Sequence, residues 1–298
     1  MKDLYSNSNL VSICIPTYNG EAYLAEALDS ALVQTYPNLE IVVSDDASTD
    51  TTLEIVEKYK SKTPIPIRVF HHAPNGIGAN WNYCMQQAQG SYIKFLFQDD
   101  VLEPTCVEAM LTVFKNHPEV GLVACKREFI VEDAIVDDTQ QQWLYDYKNL
   151  QVQFNNFKEL LYLDKTMFKR TDFLQSPLNK IGEPSVVMFK RELVDTIGWF
   201  RTDLKQVLDY EYWYRIIKHH PAIIINKSLA KFRVHAEQET QKNKARAIND
   251  YSIYRNILKT DYTQLLHPEV VKRLTPKKHY KGYYFVKNLK KRIKRIFS

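Results

Sequence analysis

The chain has 298 residues, of which 45% are hydrophobic and 25% are charged, and it carries a formal net charge of +5. This apolar content excludes a disordered chain, and eight glycines with twelve prolines exclude a collagen-like or low-complexity one. No apolar run is long enough for a membrane-spanning helix, and the N-terminus lacks the apolar stretch of a secretory signal. We therefore expect a cytoplasmic protein with one large domain or two smaller ones.

The net charge is distributed unevenly along the chain. Residues 270–298 contain eleven lysines and arginines and no acid. Residues 1–269 contain 29 basic and 35 acidic side chains and carry a net charge of −6. A mildly acidic body with a strongly basic end indicates that this end meets an anionic surface.

Strand-like and helix-like segments alternate in the first half of the chain. Short apolar runs predict strands at Val11–Ile15, Leu39–Val43, Ile67–Phe70, Tyr92–Phe97 and Val120–Ala124. Apolar residues at helical spacing predict helices at Glu21–Gln34, Thr51–Tyr59, Ala79–Gln89 and Thr105–Lys115. This alternation predicts an α/β fold with a doubly wound, mostly parallel sheet flanked by helices.

The second half has a less regular pattern. Residues 126–180 are rich in Asp, Gln, Asn and aromatic side chains, which favours helices joined by long loops. Beyond them, the pattern predicts strands at Val186–Phe189, Ala222–Ile225 and Ala230–Arg233 and helices at Arg191–Ile197 and Glu211–His219. Residues 240–298 are predicted to form a mainly helical C-terminal extension.

Three predicted strands end in polar clusters, and ligands of an open α/β sheet bind outside the carboxyl ends of its strands. The clusters are Pro16-Thr17-Tyr18-Asn19, Ser44-Asp45-Asp46 and Gln98-Asp99-Asp100. Either acidic pair could instead cap a helix or lie in a solvated turn. Because two acidic pairs are expected at one edge of the sheet, a metal–phosphate or nucleotide site is the better interpretation.

The chain resembles a known family from residue 11 onwards. Residues 11–52, VSICIPTYNGEAYLAEALDSALVQTYPNLEIVVSDDASTDTT, resemble the opening of family 2 glycosyltransferases, which have a GT-A fold. The resemblance continues to roughly residue 240, at Asn75–Gly78, Phe95–Asp100, Gly182–Ser185, Asp209–Trp213 and Arg233–His235. It implies a catalytic domain at 1–239, with a nucleotide-sugar half at about 1–125 and an acceptor half at about 126–239, before the extension at 240–298.

The resemblance implies a nucleotide-sugar site made from the P-x-Y-N segment, the first D-D pair, the glycine loop and a glutamine. The residues are Pro16, Thr17, Tyr18, Asn19, Asp45, Asp46, Asn75, Gly76, Gly78 and Gln98. The chemistry is suitable, because a carboxylate accepts from a base N–H and a tyrosine ring stacks on a base. The alternatives are ordinary packing for Tyr18 and a plain turn for Asn75–Gly76.

For the metal, the resemblance implies Asp99 as first choice, Asp100 as second choice, and a late histidine, His235. Family members commonly show D-x-D-D here, whereas this chain has Phe97 in place of the first acid. The remaining carboxylates offer hard oxygen ligands suited to Mn2+ or Mg2+ bridging a diphosphate. A core or surface histidine without a metal is the alternative for His235.

For the chemistry, the resemblance implies that Asp209 is the general base of an inverting transfer, taking a proton from the acceptor hydroxyl. Leu208 replaces the glutamate of the family's E-D motif. Helix capping is the alternative role for Asp209, and Glu211 is the alternative base.

The last segment, FVKNLKKRIKRIFS at residues 285–298, has apolar side chains at helical spacing with Lys and Arg between them. Such a basic amphipathic helix suits an anionic membrane, so we expect a peripheral protein on the inner face of the cell membrane, held through residues 285–297. A helix that docks on the domain is the alternative. Nucleic acid is not an expected partner, because the body is acidic and has no nucleic-acid motif.

The sequence therefore predicts a metal-dependent inverting glycosyltransferase. Its expected donor is a nucleoside diphosphate sugar, in particular a UDP-sugar, and its expected acceptor is a glycan or lipid-linked glycan of a bacterial surface polysaccharide. Two alternatives stay open: a sugar nucleotidyltransferase, and a non-catalytic protein that binds sugar nucleotides or glycans. The first lacks the glycine-rich basic loop expected after the first strand, and the replacements at Phe97 and Leu208 support the second.

Overall fold

The computed structural model has an α/β architecture. It describes residues 9–132, 138–154, 157–236, 238, 243, 248 and 250–275. In these ranges the strands are β1 (Val11–Thr17), β2 (Leu39–Asp45), β3 (Ile67–His71), β4 (Tyr92–Phe95), β5 (Val101–Leu102), β6 (Leu122–Val131), β7 (Leu160–Leu163), β8 (Val187–Lys190) and β9 (Ala222–Val234). The α-helices are α1 (Leu24–Leu32), α2 (Thr52–Lys60), α3 (Ile77–Gln87), α4 (Cys106–Asn116), α5 (Asp138–Tyr147), α6 (Leu193–Ile197), α7 (Leu208–His219), α8 (Tyr251–Asp261) and α9 (Pro268–Leu274). None of the helices in the described ranges has the length and apolar character needed to cross a lipid bilayer.

The described strands form one mixed sheet with the order β3-β2-β1-β4-β8-β6-β9-β5, and β7 pairs with β9 outside this path. The first four strands in that order are parallel, as the alternation of strands and helices predicts. Strand β8 pairs antiparallel with both β4 and β6, whereas β6 and β9 are parallel. The α/β class with flanking helices is confirmed. The parallel arrangement extends over β1 to β4, whereas β5 and β6 have antiparallel neighbours in β9 and β8.

Strands β1 and β2 are buried along their whole length, which explains their nearly continuous apolar sequences. Helix α3 packs against both of them. Helix α1 buries Leu24, Ala27 and Ala31, which recur at helical spacing. The register pairs Thr17 with Asp45, so the carboxyl ends of β1 and β2 lie level at one edge of the sheet.

The second half contains longer strands than the sequence pattern predicts. Strand β6 continues to Val131, and β9 is one strand of 13 residues where the pattern predicts two. The polar segment at 226–228 resembles a break in the sequence, but it lies where the register between β6 and β9 shifts at Lys126. Strands β5 and β7 are absent from the predicted set, because two and four residues carry little periodicity.

A buried lysine joins the two halves of the sheet. Lys94 on β4 is fully buried, and its Nζ donates to the carbonyl oxygens of Phe95, at 2.9 Å, and of Ser185. The Ser185 hydroxyl accepts the N–H of Phe97 at 2.9 Å. Ser185 belongs to a 3-10 turn, Pro184–Val186, which leads into β8. These contacts fix that turn against the end of β4.

The described part of the C-terminal extension is helical and packs through aromatic side chains. Tyr254 on α8 contacts Tyr210 edge to face, with ring centroids 5.1 Å apart. Tyr262, which follows α8, packs against Phe168 with centroids 5.2 Å apart. The expected helical extension is therefore present through α9. The boundary at residue 239 stays a prediction, and the basic segment 285–298 lies outside the described residues.

Helix α5 lies on the surface and buries none of its ten residues. Its Trp143 ring lies 5.8 Å from the Phe129 ring of β6, centroid to centroid. Trp143 also stacks on Tyr147 within the helix at 5.2 Å. Helix α5 therefore rests on the sheet through aromatic contacts without entering the core.

Candidate active site

The carboxyl ends of β1 and β2 meet at the predicted nucleotide site. The Thr17 hydroxyl donates to Asp45 Oδ1 at 2.9 Å. Ser48 donates to the same carboxylate twice, through its N–H at 2.9 Å and its hydroxyl at 2.5 Å. Pro16 lies inside the buried strand β1 and sets the approach to Thr17. The Asp45 carboxylate is fixed in place by these donors, and its oxygens retain lone pairs for a further donor.

Asn19 connects the loops that follow these two strands. Its N–H donates to the Ser48 hydroxyl at 2.9 Å, and its Oδ1 accepts the N–H of Thr49 at 2.8 Å. The residue has a φ of +48°, a left-handed conformation that asparagine tolerates better than most residues. In this structure Asn19 braces one loop against the other.

Tyr18 is held by its main chain while its side chain is 53% exposed. Gln98 Oε1 accepts the Tyr18 N–H at 2.9 Å, and Gln98 Nε2 donates to the Tyr18 carbonyl at 3.1 Å. Gly20 lies beside this pair, and a Cβ there would come within 2.4 Å of Gln98 Oε1. Tyr18 is therefore not a core residue, and Gln98 positions it with both ends of its amide.

Asp46 anchors the glycine loop. Its Oδ1 accepts the N–H of Asn75 at 3.1 Å and lies 3.3 Å from His72 Nδ1. The first N–H of α2 is bound by a different acid, since Asp50 Oδ1 accepts from Thr52 N at 3.0 Å. Helix capping therefore does not account for Asp46.

Gly76 and Gly78 are required as glycines for different structural reasons. Gly76 has a φ of +85°, and open space surrounds the position of a Cβ. A Cβ on Gly78 would lie 2.8 Å from the Arg201 carbonyl oxygen. Gly76 thus leaves room beside the loop, whereas Gly78 allows α3 to pack closely against the chain at 201–202.

Asp99 and His235 come together at the other end of this edge. Asp99 Oδ2 lies 3.0 Å from His235 Nε2, and the side chains are 21% and 9% exposed, respectively. This distance is that of a hydrogen bond, and the two atoms are a hard oxygen and an imidazole nitrogen, which can both ligate a divalent cation. Within the described ranges, no three His, Cys, Asp or Glu side chains are grouped to hold an ion. Such a cation would therefore complete its coordination with substrate phosphates and water.

Asp100 is enclosed by protein and is the weaker metal ligand. It is fully buried, and its Oδ1 accepts the Arg233 N–H at 3.0 Å. Burial, reinforced by the charge of Asp99, raises the pKa of Asp100 well above its ordinary value. Asp99, which is partly exposed, is therefore more accessible to a cation than Asp100.

His235 is held by side chains that are absent from the predicted site residues. Tyr23 packs edge-on against its ring with centroids 4.8 Å apart. The Arg233 guanidinium lies 4.6 Å from the centre of the Tyr23 ring and pairs with Glu26. Arg233 Nε also donates to the Asp99 carbonyl at 2.9 Å. Tyr23 and Glu26 are three positions apart at the start of α1, a spacing that shows they share a helix face but not what they contact.

Asp209 lies in the first turn of α7, whose N-cap position is occupied by Val207. Its carboxylate lies near the backbone N–H groups of Tyr210 and Asp209 in that turn, which act to lower its pKa. Its Oδ2 accepts from Asn179 Nδ2 at 2.9 Å. Its Oδ1 is buried and has no hydrogen-bond partner among the described residues. Burial raises the pKa of Asp209 from 3.8 to about 7, and the charge of Glu183 adds to the rise. A carboxylate with this pKa and an unpaired oxygen is suited to general base catalysis.

Glu211, the alternative base, is engaged in an ion pair. It is 2% exposed, and its Oε1 lies 2.9 Å from Arg215 Nε. Arg215 Nη2 also donates to Glu211 Oε2 at 3.1 Å. Leu208, Tyr212 and Trp213 are buried core residues. These contacts leave Asp209 as the better placed base on α7.

The charge of Glu183 acts on two other acids, Asp100 and Asp209, although Glu183 is absent from the predicted site residues. Arg127 Nη2 donates to Glu183 Oε1 at 2.9 Å, and Arg127 Nε lies 2.7 Å from Oε2. Burial is the main cause of the raised pKa values of Asp100 and Asp209, and the charge of Glu183 adds to both. The G-E-P-S segment is its sequence signal, whereas nothing in the sequence connects it to an arginine 56 positions earlier.

Known proteins resemble this chain in sequence and in fold. The model of the family described as Glycosyl transferase family 2 matches residues 12–198. An uncharacterised glycosyltransferase of Rickettsia typhi is 32% identical over 78% of this chain and 66% of its own length. The chain thus spans just under two thirds of that relative.

Two solved structures share the fold at low sequence identity. Staphylococcus aureus TarS 1–349 in complex with UDP-GlcNAc has a TM-score of 0.63 and 20% identity, covering 84% of this chain and 64% of that one. The mannosyltransferase PcManGT from Pyrobaculum calidifontis, in complex with GDP-Man and Mn2+, has a TM-score of 0.60 and 22% identity, covering 82% and 62%. Because the family model matches more than half of the sequence, the protein belongs to glycosyl transferase family 2 and is a glycosyltransferase.

Proposed function

We propose that the protein transfers a hexose from a nucleoside diphosphate sugar to an acceptor hydroxyl, with inversion at the anomeric carbon. The observation that carries this proposal is the Asp209 carboxylate. Its Oδ1 is buried without a hydrogen-bond partner in the described part of the chain, and burial raises its pKa to about 7. A base of this pKa is ionised in about half of the molecules at neutral pH and binds a proton readily during the reaction.

The proposed donor is a UDP-sugar bound at the edge formed by β1 and β2. The exposed Tyr18 ring would stack on the base, and Asp45 would accept a base or ribose hydrogen. The backbone at Gly76, with open space beside it, would face the sugar diphosphate. The TarS complex with UDP-GlcNAc supports uridine, and the PcManGT complex with GDP-Man makes guanosine the base to test against it.

In the proposed reaction, Asp209 Oδ1 accepts the acceptor's hydroxyl proton as the hydroxyl oxygen forms its bond to the anomeric carbon. The bond from that carbon to the diphosphate oxygen breaks at the same time, and its electron pair leaves with the nucleoside diphosphate. An α-linked donor therefore gives a β-glycoside. Asp99 and His235 would hold Mn2+ or Mg2+, which offsets the negative charge of the diphosphate when bound.

The proposed acceptor is a glycan or lipid-linked glycan of a bacterial surface polysaccharide, reached at the inner face of the membrane. The support is the basic run at 270–298, together with the similarity to TarS, a poly(ribitol-phosphate) beta-N-acetylglucosaminyltransferase of Staphylococcus aureus. Flotation of the full chain with anionic and with neutral vesicles tests the location. Equal recovery with both kinds of vesicle contradicts the electrostatic part of the proposal.

Release of nucleoside diphosphate from a panel of UDP- and GDP-sugars, with and without Mn2+, tests the function. We expect metal-stimulated release from one sugar nucleotide, and its loss in Asp209→Asn although the donor still binds. If a sugar nucleotide stabilises the protein against heat but is never cleaved, with or without an acceptor, the non-catalytic binding protein is the correct reading. Full activity in Asp209→Asn removes Asp209 as the base.

A further inference from the structure

The Asn179 side chain makes four hydrogen bonds, three within its own loop and one to Asp209. Its Oδ1 accepts the N–H of Ile181 at 3.0 Å and the N–H of Gly182 at 2.9 Å. Its Nδ2 donates to the Gly182 carbonyl at 3.0 Å and to Asp209 Oδ2 at 2.9 Å. The side chain thus links the loop at 179–182 to the catalytic carboxylate.

This network also fixes which end of the amide faces Asp209. If the oxygen and nitrogen of Asn179 were exchanged, the NH2 group would meet the two N–H donors of Ile181 and Gly182. The oxygen would then face the Gly182 carbonyl and the Asp209 carboxylate, which are both acceptors. A donor therefore always faces Asp209 Oδ2, and Oδ1 is left as the unpaired oxygen.

We propose that Asn179 is a positioning residue for the Asp209 base: its amide holds Oδ2 so that Oδ1 is presented to the acceptor hydroxyl. The inference rests on the proposed function, in which Asp209 is the base. It adds a residue that lies outside the family motifs quoted above and that makes its contact across 30 positions of sequence.

The loop itself has supports that do not involve Asn179. Gln151 Nε2 donates to the carbonyls of Lys180, at 2.9 Å, and Ile181, at 3.3 Å. Trp213 Nε1 donates to the Gly182 carbonyl at 3.0 Å. Gln151 therefore offers a matched control, because its loss weakens the same loop without removing a contact to Asp209.

The effect of the Asn179 contact on the pKa of Asp209 depends on the charged and titratable groups that face Asp209. Glu183 raises its pKa from the loop side, and its own charge is paired with Arg127. Tyr210 and Tyr214 on α7 are the other titratable neighbours. Against burial and Glu183, the backbone N–H groups of Tyr210 and Asp209 and, to a smaller extent, the Asn179 donor stabilise the ionised carboxylate and lower its pKa.

The decisive variant is Asn179→Asp. An aspartate keeps an oxygen that accepts from the N–H groups of Ile181 and Gly182, but it places a second carboxylate against Asp209. We expect the acid limb of the kcat–pH profile to move upward by about one unit or more, because the ionised base loses a donor and gains a like charge. At pH 7 kcat then falls roughly five-fold or more, while KM for the donor stays the same.

Two further variants separate positioning from loop structure. Asn179→Ala is expected to move the same limb in the same direction, because it removes the donor without adding charge. Gln151→Ala is expected to lower the unfolding midpoint and to leave the limb in place. A wild-type acid limb in Asn179→Asp, or an equal shift in Gln151→Ala, overturns the positioning role.

A direct titration of Asp209 makes the test independent of turnover. Carbon-13 NMR of carboxyl-labelled aspartate, assigned with Asp209→Asn, should give a wild-type midpoint near the pKa of about 7 that burial causes, and a higher one in Asn179→Asp. If the midpoint rises but no sugar nucleotide is ever consumed, the contact is real and the proposed function fails. If transfer occurs and the midpoint does not move, the function stands and the positioning role fails.

Discussion

Replacing the proposed base should make the protein more stable while it removes transfer. The pKa of Asp209 is 3.8 in its ordinary state and about 7 in the folded protein, because burial disfavours the charge. The folded state therefore binds this proton more tightly than the unfolded chain does, and wild-type stability falls as the pH rises from about 4 to about 7. At about 1.4 kcal/mol for each pH unit, the full loss is about 4 kcal/mol above pH 7.

Asp209→Asn removes this loss because an amide does not ionise. Its oxygen can still accept from Asn179 Nδ2, so the hydrogen bond recorded at 2.9 Å is retained. We expect the variant to match the wild type near pH 4 and to gain stability progressively up to pH 8. Urea unfolding of both proteins at pH 4.5, 6 and 8 measures the difference, and other titrating groups cancel between them.

Glu211→Gln provides a comparison on the same helix turn. Glu211 is also buried, which raises its pKa, but Arg215 pairs with it at 2.9 Å and opposes the rise. We therefore expect this variant to gain less stability than Asp209→Asn between pH 4.5 and pH 8. A gain in Asp209→Asn that is the same at pH 4.5 and pH 8, or a loss at pH 8, refutes the assignment of a strained, ionisable base.

Three other predictions concern the rest of the site. Gly78→Ala should lower stability by about 1 kcal/mol in urea unfolding, because the clash of its Cβ at 2.8 Å from the Arg201 carbonyl outweighs the gain in helix propensity; higher stability contradicts the packing argument. Gln98→Ala should raise the donor dissociation constant several-fold in calorimetry with little change in kcat, because it releases the Tyr18 main chain. An unchanged affinity would mean that Gln98 does not position Tyr18 for donor binding. His235→Ala should reduce the thermal stabilisation by Mn2+ plus nucleoside diphosphate, measured by differential scanning fluorimetry, and an undiminished shift removes His235 as a ligand.

The first half of the fold could be predicted because its elements carry strong local signals. Strands β1 and β2 are buried on both faces, so their apolar sequences end where the sheet edge begins, at Thr17 and Asp45. The second half gave weaker signals. The polar residues at 226–228 suggest the end of one strand and the start of another. The structure has a register shift between β6 and β9 there, and such a shift leaves no pattern in the sequence of one strand alone.

Roles could be predicted only where a motif places a side chain on a strand or helix end. The resemblance predicts roles for Asp99, His235 and Asp209. The structure brings Asp99 within 3.0 Å of His235, and the roles themselves stay predictions. Asn179 and Glu183 could not be assigned roles, because their effect depends on contacts made across 30 and 56 positions of sequence. Such tertiary contacts leave no periodicity or spacing to read.

Helix α5 has a consequence for how relatives of this protein can diverge. It buries none of its residues, whereas the neighbouring turn at Pro184–Val186 is held by the buried Lys94. Substitutions on the exposed face of α5 therefore cost little folding free energy, while changes at the turn disturb the core. The surface that α5 forms can therefore change its side chains at little cost in stability, whereas the turn at Pro184–Val186 cannot.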